Sequence, residues 1–248
     1  MELQSKVAFI TGASSGIGEG TARLLAANGV KVVLAARRVQ KLNAVLKDIE
    51  QAGGTGLVIE MDVTDTASVK KAVDTAIKTY GKIDILVNNA GLMPISNVES
   101  LKLDEWHRMV DVNLKGLLTT TATVLPHLIK QHAGHIINLS SIAGRKLFQG
   151  LSVYCATKHA VAAFSDIMRM EITPKYKIRV TSIQPGAVAT ELFDHISDAK
   201  YRQDMEGLKK QMTFLTPDDI AHSILYALQA PDHIDVSEIF IMPSEQPW

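Results

Sequence analysis

Six strand-length runs of apolar, largely β-branched residues recur along the chain, each followed by a longer stretch of helical periodicity. The runs are KVAFITG (6–12), VKVVLAA (30–36), GLVIEMD (56–62), IDILVNNAG (83–91), HIINLSS (135–141) and IRVTSIQPG (178–186). They are nearly unbroken rather than alternating, which is the pattern of strands covered on both faces. Amphipathic patterns fill 16–28, 38–52, 66–80, 104–132 and 152–172, and a last helix over 217–229 and the strand SEIFIMP follow. Strand–helix–strand alternation demands right-handed crossovers, hence a parallel sheet with helices on both sides. The predicted fold is α/β, a doubly wound parallel sheet of about seven strands. No linker, repeat or low-complexity tract interrupts it, so residues 1–248 are expected to form a single domain.

Charge narrows the partners. Lys+Arg and Asp+Glu both number 26, and no basic block exceeds Arg37-Arg38. That balance speaks against a nucleic-acid footprint or a polybasic membrane anchor. No apolar run approaches a membrane span, and MELQSKVAFITG lacks the cationic start and apolar core of a secretory signal. The lone cysteine, Cys155, makes no internal disulfide, which fits a cytoplasmic protein. The eight histidines show no ligand spacing, so no metal is expected.

The first run leads straight into TGASSGIG, with Gly12, Gly16 and Gly18. Gly12 suits a sharp turn, while Gly16 and Gly18 allow a ligand and a strand to approach the backbone. Ser14 and Ser15 offer hydroxyls, and the N–H groups of Gly16, Ile17 and Gly18 open a helix whose positive end suits a pyrophosphate. Farther along, Tyr154 and Lys158 stand four residues apart, one turn on one helix face. Acid–base work near neutrality asks a phenol to drop about 3 units from its ordinary value, and a neighbouring ammonium shifts it that way. Cys155 lies off that face and reads as packing.

TGxxxGxG, then NNAG at 88–91, then Tyr-x-x-x-Lys, then PGAVAT at 185–190 resembles, across essentially the whole chain, the single-domain form of the short-chain dehydrogenase/reductase family. The resemblance implies a Rossmann-type dinucleotide-binding sheet, hydride transfer, a small-molecule carbonyl or alcohol substrate and a homotetramer built on the two long helices. It implies a catalytic set of Asn113, Ser141, Tyr154 and Lys158, with Lys158 also on the nicotinamide ribose and Asn113 bending its helix. It further implies adenine-edge contacts from Asp62 and Val63, ribose-side contacts from Asn89, Ala90 and Gly91, and a carboxamide loop of Pro185, Gly186, Val188 and Thr190. Ser140 is expected to pack behind Ser141.

The second strand ends LAARR, with Ala36 where NAD enzymes usually carry an acidic residue. A carboxylate there repels a 2′-phosphate, whereas Arg37 and Arg38 can grip one in fork geometry. NADP(H) is the expected cofactor. The substrate end is drawn from two segments. Leu147, Phe148, Leu192, Phe193, Ile196, Met205 and Met212 are candidates for an apolar cover, with Arg145 and His195 as polar contacts. The ending VSEIFIMPSEQPW, with AARR and SSIAGR, is similar to the NADP-dependent branch containing clavulanate and 3-hydroxy acid dehydrogenases. The expected activity is NADPH-dependent reduction of a small or medium ketone or aldehyde, and secondary-alcohol oxidation in reverse. Two alternatives are a 3-hydroxy acid dehydrogenase using Arg145 as an anion clamp and an NADP(H)-binding sensor without turnover.

Overall fold

A computed structural model describes residues 3–246, apart from the side chain of His195. The polar contact expected of His195 therefore lies outside the described residues, as do Pro247 and Trp248 of the carboxyl-terminal pattern. Seven parallel strands form one sheet: β1 (Val7–Thr11), β2 (Lys31–Ala36), β3 (Thr55–Glu60), β4 (Ile85–Asn88), β5 (Gly134–Leu139), β6 (Ile178–Pro185) and β7 (Glu238–Ile241). Their order is β3-β2-β1-β4-β5-β6-β7, so the winding reverses between β1 and β4. Ligands of doubly wound sheets bind at the carboxyl edge beside such a reversal.

The strands alternate between two cores. On one face Ala8, Ile10, Val32, Leu34 and Ile137 pack with α1 (Gly16–Ala27), α2 (Val39–Gln51) and α8 (Pro217–Gln229). On the other, Val7, Phe9, Val33, Leu86 and Ile136 meet α3 (Thr66–Tyr80), α5 (Leu117–Gln131) and α6 (Ser152–Tyr176). Both faces being covered is why the central runs read as unbroken apolar stretches. The edges differ: β3 and β7 are only partly buried, and GLVIEMD keeps Glu60 exposed.

One long predicted helix resolves into three pieces. The stretch expected over 104–132 is α4 (Leu103–Met109), a π-helical segment Val110–Gly116, and α5. A π-bulge inserts a residue into the helical register, which apolar periodicity does not reveal, and such bulges cluster at functional sites. A further helix, α7 (Ala199–Gln211), lies in the segment after PGAVAT; none of its residues is buried. Among the described residues no helix is long and apolar enough to cross a membrane. No group of three or more His, Cys, Asp or Glu there is placed to hold a metal.

Candidate active site

The carboxyl ends of β1, β2, β4, β5 and β6 open onto one cavity of about 530 Å³. At its β1 end the chain turns at Gly12 (φ +66°) and enters α1 at Gly16 (φ +57°), both in the left-handed region that glycine tolerates. A Cβ on Gly18 would lie 2.5 Å from the Gly12 carbonyl oxygen and from Asn89 Nδ2. Asn89 straps β4 to this turn, donating through Nδ2 to the carbonyls of Thr11 (3.0 Å) and Gly12 (3.2 Å). The backbone N–H groups of Asn89 and Ala90 both donate to Thr11 Oγ1 at 3.0 Å. Ser15 enters α1 in extended conformation without capping the helix through its side chain. The first turn thus keeps backbone donors facing the cavity.

Beside the turn lies a basic corner. Arg38 donates to Ser14 Oγ (3.1 Å from Nε, 3.0 Å from Nη2) and to Ser15 Oγ (2.6 Å). Its Nη1 donates to Glu191 Oε2 at 2.7 Å, and Lys41 Nζ donates to Glu191 Oε1 at 2.5 Å. Lys41 first, then Arg38, hold the Glu191 carboxyl down at about 2. Arg37 stands apart from the serines: it is largely exposed and approaches Asp62 at 3.8 Å. Burial works to raise the Asp62 carboxyl, but hydrogen bonds from Thr64 and the charge of Arg37 outweigh it and hold the group below its ordinary range.

At the other end, Ser141, Tyr154 and Lys158 share one buried wall. Ser141 Oγ accepts the Ala143 N–H at 3.1 Å, and its hydroxyl is near enough to Tyr154 to favour the phenolate. Lys158, one turn on, donates from Nζ to the Leu139 carbonyl at 2.7 Å. Burial pushes the phenol up to about 12, against the pull of Ser141. Burial also lowers the Lys158 ammonium to about 8. The expected lowering of Tyr154 by Lys158 is thus corrected here: desolvation, which disfavours both charged forms, dominates.

Asn113 sits inside the π segment, where its amide spans Leu92: Leu92 N donates to Oδ1 and Nδ2 donates to Leu92 O, both at 2.9 Å. A third contact reaches Thr157 Oγ1 at 3.3 Å. A Cβ added at Gly91 would lie 3.5 Å from Asn113 Oδ1 and 3.9 Å from Lys158 Nζ, so these groups converge on the loop after β4. Ser140 turns away from the Tyr154 wall and donates to the Lys158 carbonyl at 2.9 Å.

The cavity therefore gathers Gly12, Ser14, Ser15, Gly16, Ile17, Arg37, Arg38, Asp62, Val63, Asn89, Ala90 and Gly91 with Pro185, Gly186, Val188 and Thr190. Gly18 and Asn113 lie just behind this lining. The residues present suit an extended dinucleotide, because glycines, free helix-end amides and a basic corner follow one another along a continuous cleft. Phe148, Leu192, Phe193 and Met205 line the apolar part, as expected. Leu147, Ile196 and Met212 do not: Leu147 is 81% exposed, and the other two are buried in packing outside the cavity lining.

Arg145 is the substantive correction. Its guanidinium lies over the Phe240 ring, 5.5 Å from the centre, and donates to Gln184 Oε1 and the Glu238 carboxylate at the β6–β7 edge. It does not line the cavity and is not placed to clamp a substrate. Sequence reasoning missed Lys41, Glu191, Arg108 and Gln246; Gln246 Oε1 accepts the Ala187 N–H at 2.9 Å. Lys41 and Glu191 lie near the predicted Arg38 and Thr190, but their pairing spans 150 residues and leaves no local signal.

Fold and cavity together define a doubly wound α/β protein whose site lies at the carboxyl edge of the sheet, between a glycine turn and a Ser–Tyr–Lys wall. The family model described as short chain dehydrogenase matches residues 6–201. The chain belongs to the short-chain dehydrogenase family and is an oxidoreductase of it. It is 47% identical, over the full length of both chains, to an oxidoreductase of Listeria innocua. Among solved structures it resembles the closed form of a serine dehydrogenase complexed with NADP+ (32% identity, TM-score 0.88, 98% of this chain and 96% of that one). It also resembles an alcohol dehydrogenase from the archaeon Thermococcus sibiricus complexed with 5-hydroxy-NADP (30% identity, TM-score 0.86, 98% and 99%).

Proposed function

We propose that residues 1–248 form one dinucleotide-binding and catalytic unit. It reduces a small or medium ketone or aldehyde with NADPH and oxidises the secondary alcohol with NADP+. The observation that carries this reading is that buried Ser141, Tyr154 and Lys158 line the same cavity that begins at the glycine turn. NADP(H) rather than NAD(H) is supported by Ala36 at the end of β2, by Arg38 on Ser14 and Ser15, and by the NADP ligands of the two similar structures.

Bound NADPH supplies hydride to the carbonyl carbon. Tyr154 gives its proton to the carbonyl oxygen as negative charge grows there. Ser141 donates a hydrogen bond to the same oxygen and shares that charge. Lys158 keeps a positive charge near the phenolate left behind, and Asn113 holds Leu92 and Thr157 so that the wall keeps its shape. Apolar side chains around Phe148, Leu192 and Phe193 favour a substrate with an apolar body. The acid-clamp alternative loses its support, since Arg145 is engaged at the sheet edge. A homotetramer is supported by exposed Leu118 on α5 and exposed Ile167 and Met170 on α6, and a cytoplasmic setting by the single free Cys155.

The test is NADPH oxidation across a panel of neutral ketones, aldehydes and β-keto acids, with Tyr154→Phe as control. Turnover of neutral carbonyls that Tyr154→Phe abolishes is expected. Binding of NADPH without turnover of any carbonyl would instead favour the sensor reading.

A further inference from the structure

We propose that Glu191 is an internal anion competing with the 2′-phosphate of NADP(H) for Arg38 and Lys41, and that this contact couples the cofactor's phosphate to the substrate cover. The inference rests on the NADP(H) reading above. Its starting point is Lys41, a cation that neither the glycine motif nor the Arg37-Arg38 pair includes. Lys41 stands on α2 and shares the Glu191 carboxylate with Arg38, one oxygen to each cation. Ser14 and Ser15 already accept from Arg38, so the guanidinium is aimed at the glycine turn before any phosphate arrives.

Two cations facing one carboxylate leave a positive surplus at this corner. A phosphate monoester carries about −1.5 to −2 near neutrality and three acceptor oxygens, against one negative charge for the carboxylate. Phosphate and carboxylate cannot share the two cations without repelling each other, so the phosphate displaces Glu191. The 5′-pyrophosphate of NAD(H), held at the glycine turn, leaves the Glu191 contact in place.

The displaced residue does not stand alone. Glu191 opens the 3-10 turn Glu191–His195, which Thr190 starts by accepting the Leu192 N–H at 3.3 Å. Leu192 and Phe193 of that turn line the apolar cavity, and the chain continues into α7, which adds Met205 and Leu208. None of its residues is buried; α7 is held by Tyr201 on Asn97, by Met205 against the apolar cluster and, just before it, by Ser197 between Lys102 and Glu105. The Glu191 pair is thus the tie between the start of the cover and the cofactor's phosphate corner. Releasing it loosens the cover while NADP(H) enters.

Calorimetric titration with 2′,5′-ADP and 5′-ADP, on the full chain and on Glu191→Gln, Glu191→Ala and Lys41→Ala, tests this. Exposed ion pairs are individually weak, so 2′,5′-ADP is expected to bind roughly three- to tenfold tighter to either Glu191 variant. Binding of 5′-ADP should not change, and Lys41→Ala should weaken 2′,5′-ADP alone. In limited proteolysis, 2′,5′-ADP but not 5′-ADP should speed cleavage within 191–211 of the unmodified protein, and the Glu191 variants should start at the faster rate. Equal or weaker binding of 2′,5′-ADP by both Glu191 variants overturns the competition. Indifference of the unmodified protein, Arg38→Ala and Lys41→Ala to the extra phosphate would overturn the NADP(H) reading itself, and this inference with it.

Discussion

Lys158 Nζ lies 5.6 Å from the centre of the Tyr154 ring, over its face, and donates one of its three N–H groups to the Leu139 carbonyl at 2.7 Å. A cation over a ring face is attracted to the neutral phenol as well as to the phenolate, which limits how far it favours ionisation. Both groups are buried, and burial moves them in opposite directions: Tyr154 up to about 12, Lys158 down to about 8. The pair stores a protonated phenol beside an ammonium that is close to releasing its proton. A phenol held this high is protonated at neutral pH but a weaker acid than a free one, and the burial that raises it leaves a trace in stability.

Between about 8 and 10.5 the unfolded chain keeps the Lys158 proton that the folded chain has lost. The unfolded state then binds more protons, so folding stability contributed by this group rises with pH through that window. Tyr154 has the opposite sign: from 10 to about 12 the folded state holds the extra proton, and stability falls as pH rises. Unfolding by urea at a series of pH values should show a Lys158 contribution growing by about 2 kcal/mol between about pH 8 and about pH 10. Lys158→Met should lack that rise. An identical pH slope in both proteins would refute the placement of the ammonium.

Arg37 and Arg38 adjoin in sequence but separate in space, one toward Asp62 and the other onto Ser14 and Ser15. Of the two, only Arg38 reaches the serines of the glycine turn. Arg38→Ala should cut the ratio of kcat/KM for NADPH over NADH by roughly ten- to a hundredfold, the range for a lost hydrogen bond to a charged group. Arg37→Ala should cost clearly less. Equal losses in steady-state kinetics would put both arginines on the phosphate.

Gly18→Ala puts a methyl 2.5 Å from the Gly12 carbonyl oxygen and from Asn89 Nδ2. The carbonyl belongs to the turn itself and cannot swing aside as a side chain would. Overpacking of this kind costs about 1–3 kcal/mol, and the shifted turn should also lose dinucleotide affinity. Gly207→Ala on α7 is the contrast, since nothing lies within 4 Å of its added methyl. It should gain roughly 0.5–1 kcal/mol, because alanine suits a helix interior better than glycine. Thermal melts with calorimetric titration read both; a harmless Gly18→Ala would contradict the close packing of the turn.

The central sheet was legible because burial on both faces writes continuous apolar runs. The partly exposed edges β3 and β7 write weaker patterns, and β3 begins at Thr55, one residue before GLVIEMD. The helix over 104–132 looked continuous because one inserted residue barely disturbs apolar spacing; the asparagine in VNLKG was the one mark of the π segment. Helix α7 left little trace, being polar and without a buried face. The glycine turn and the Tyr154–Lys158 pair are local in sequence and could be read directly. The Arg38–Glu191 contact spans 153 residues and Arg145–Glu238 spans 93, so neither could be inferred from spacing. Nor does a motif reveal how deeply it is buried, and burial is what moves the Tyr154 phenol up.

Asn113 provides the sharpest test of how the wall is held. Its amide replaces the partner that Leu92 would otherwise find in a strand, accepting from Leu92 N and donating to Leu92 O. Removing it in Asn113→Ala leaves two buried backbone groups unpaired, each costing about 1–3 kcal/mol unless water enters. A stability loss of about 2–4 kcal/mol is therefore expected in urea unfolding, larger than for an ordinary surface change. Asn113→Asp keeps the acceptor for Leu92 N but withdraws the donor to Leu92 O and to Thr157 Oγ1. With a buried carboxylate oxygen facing the Leu92 carbonyl, it should be at least as destabilised as Asn113→Ala. If the asparagine serves the loop by shape alone, both variants should lower kcat in step with the displacement of Leu92. A kcat loss in Asn113→Asp with native stability would instead show that the amide's donor serves turnover beyond holding Leu92.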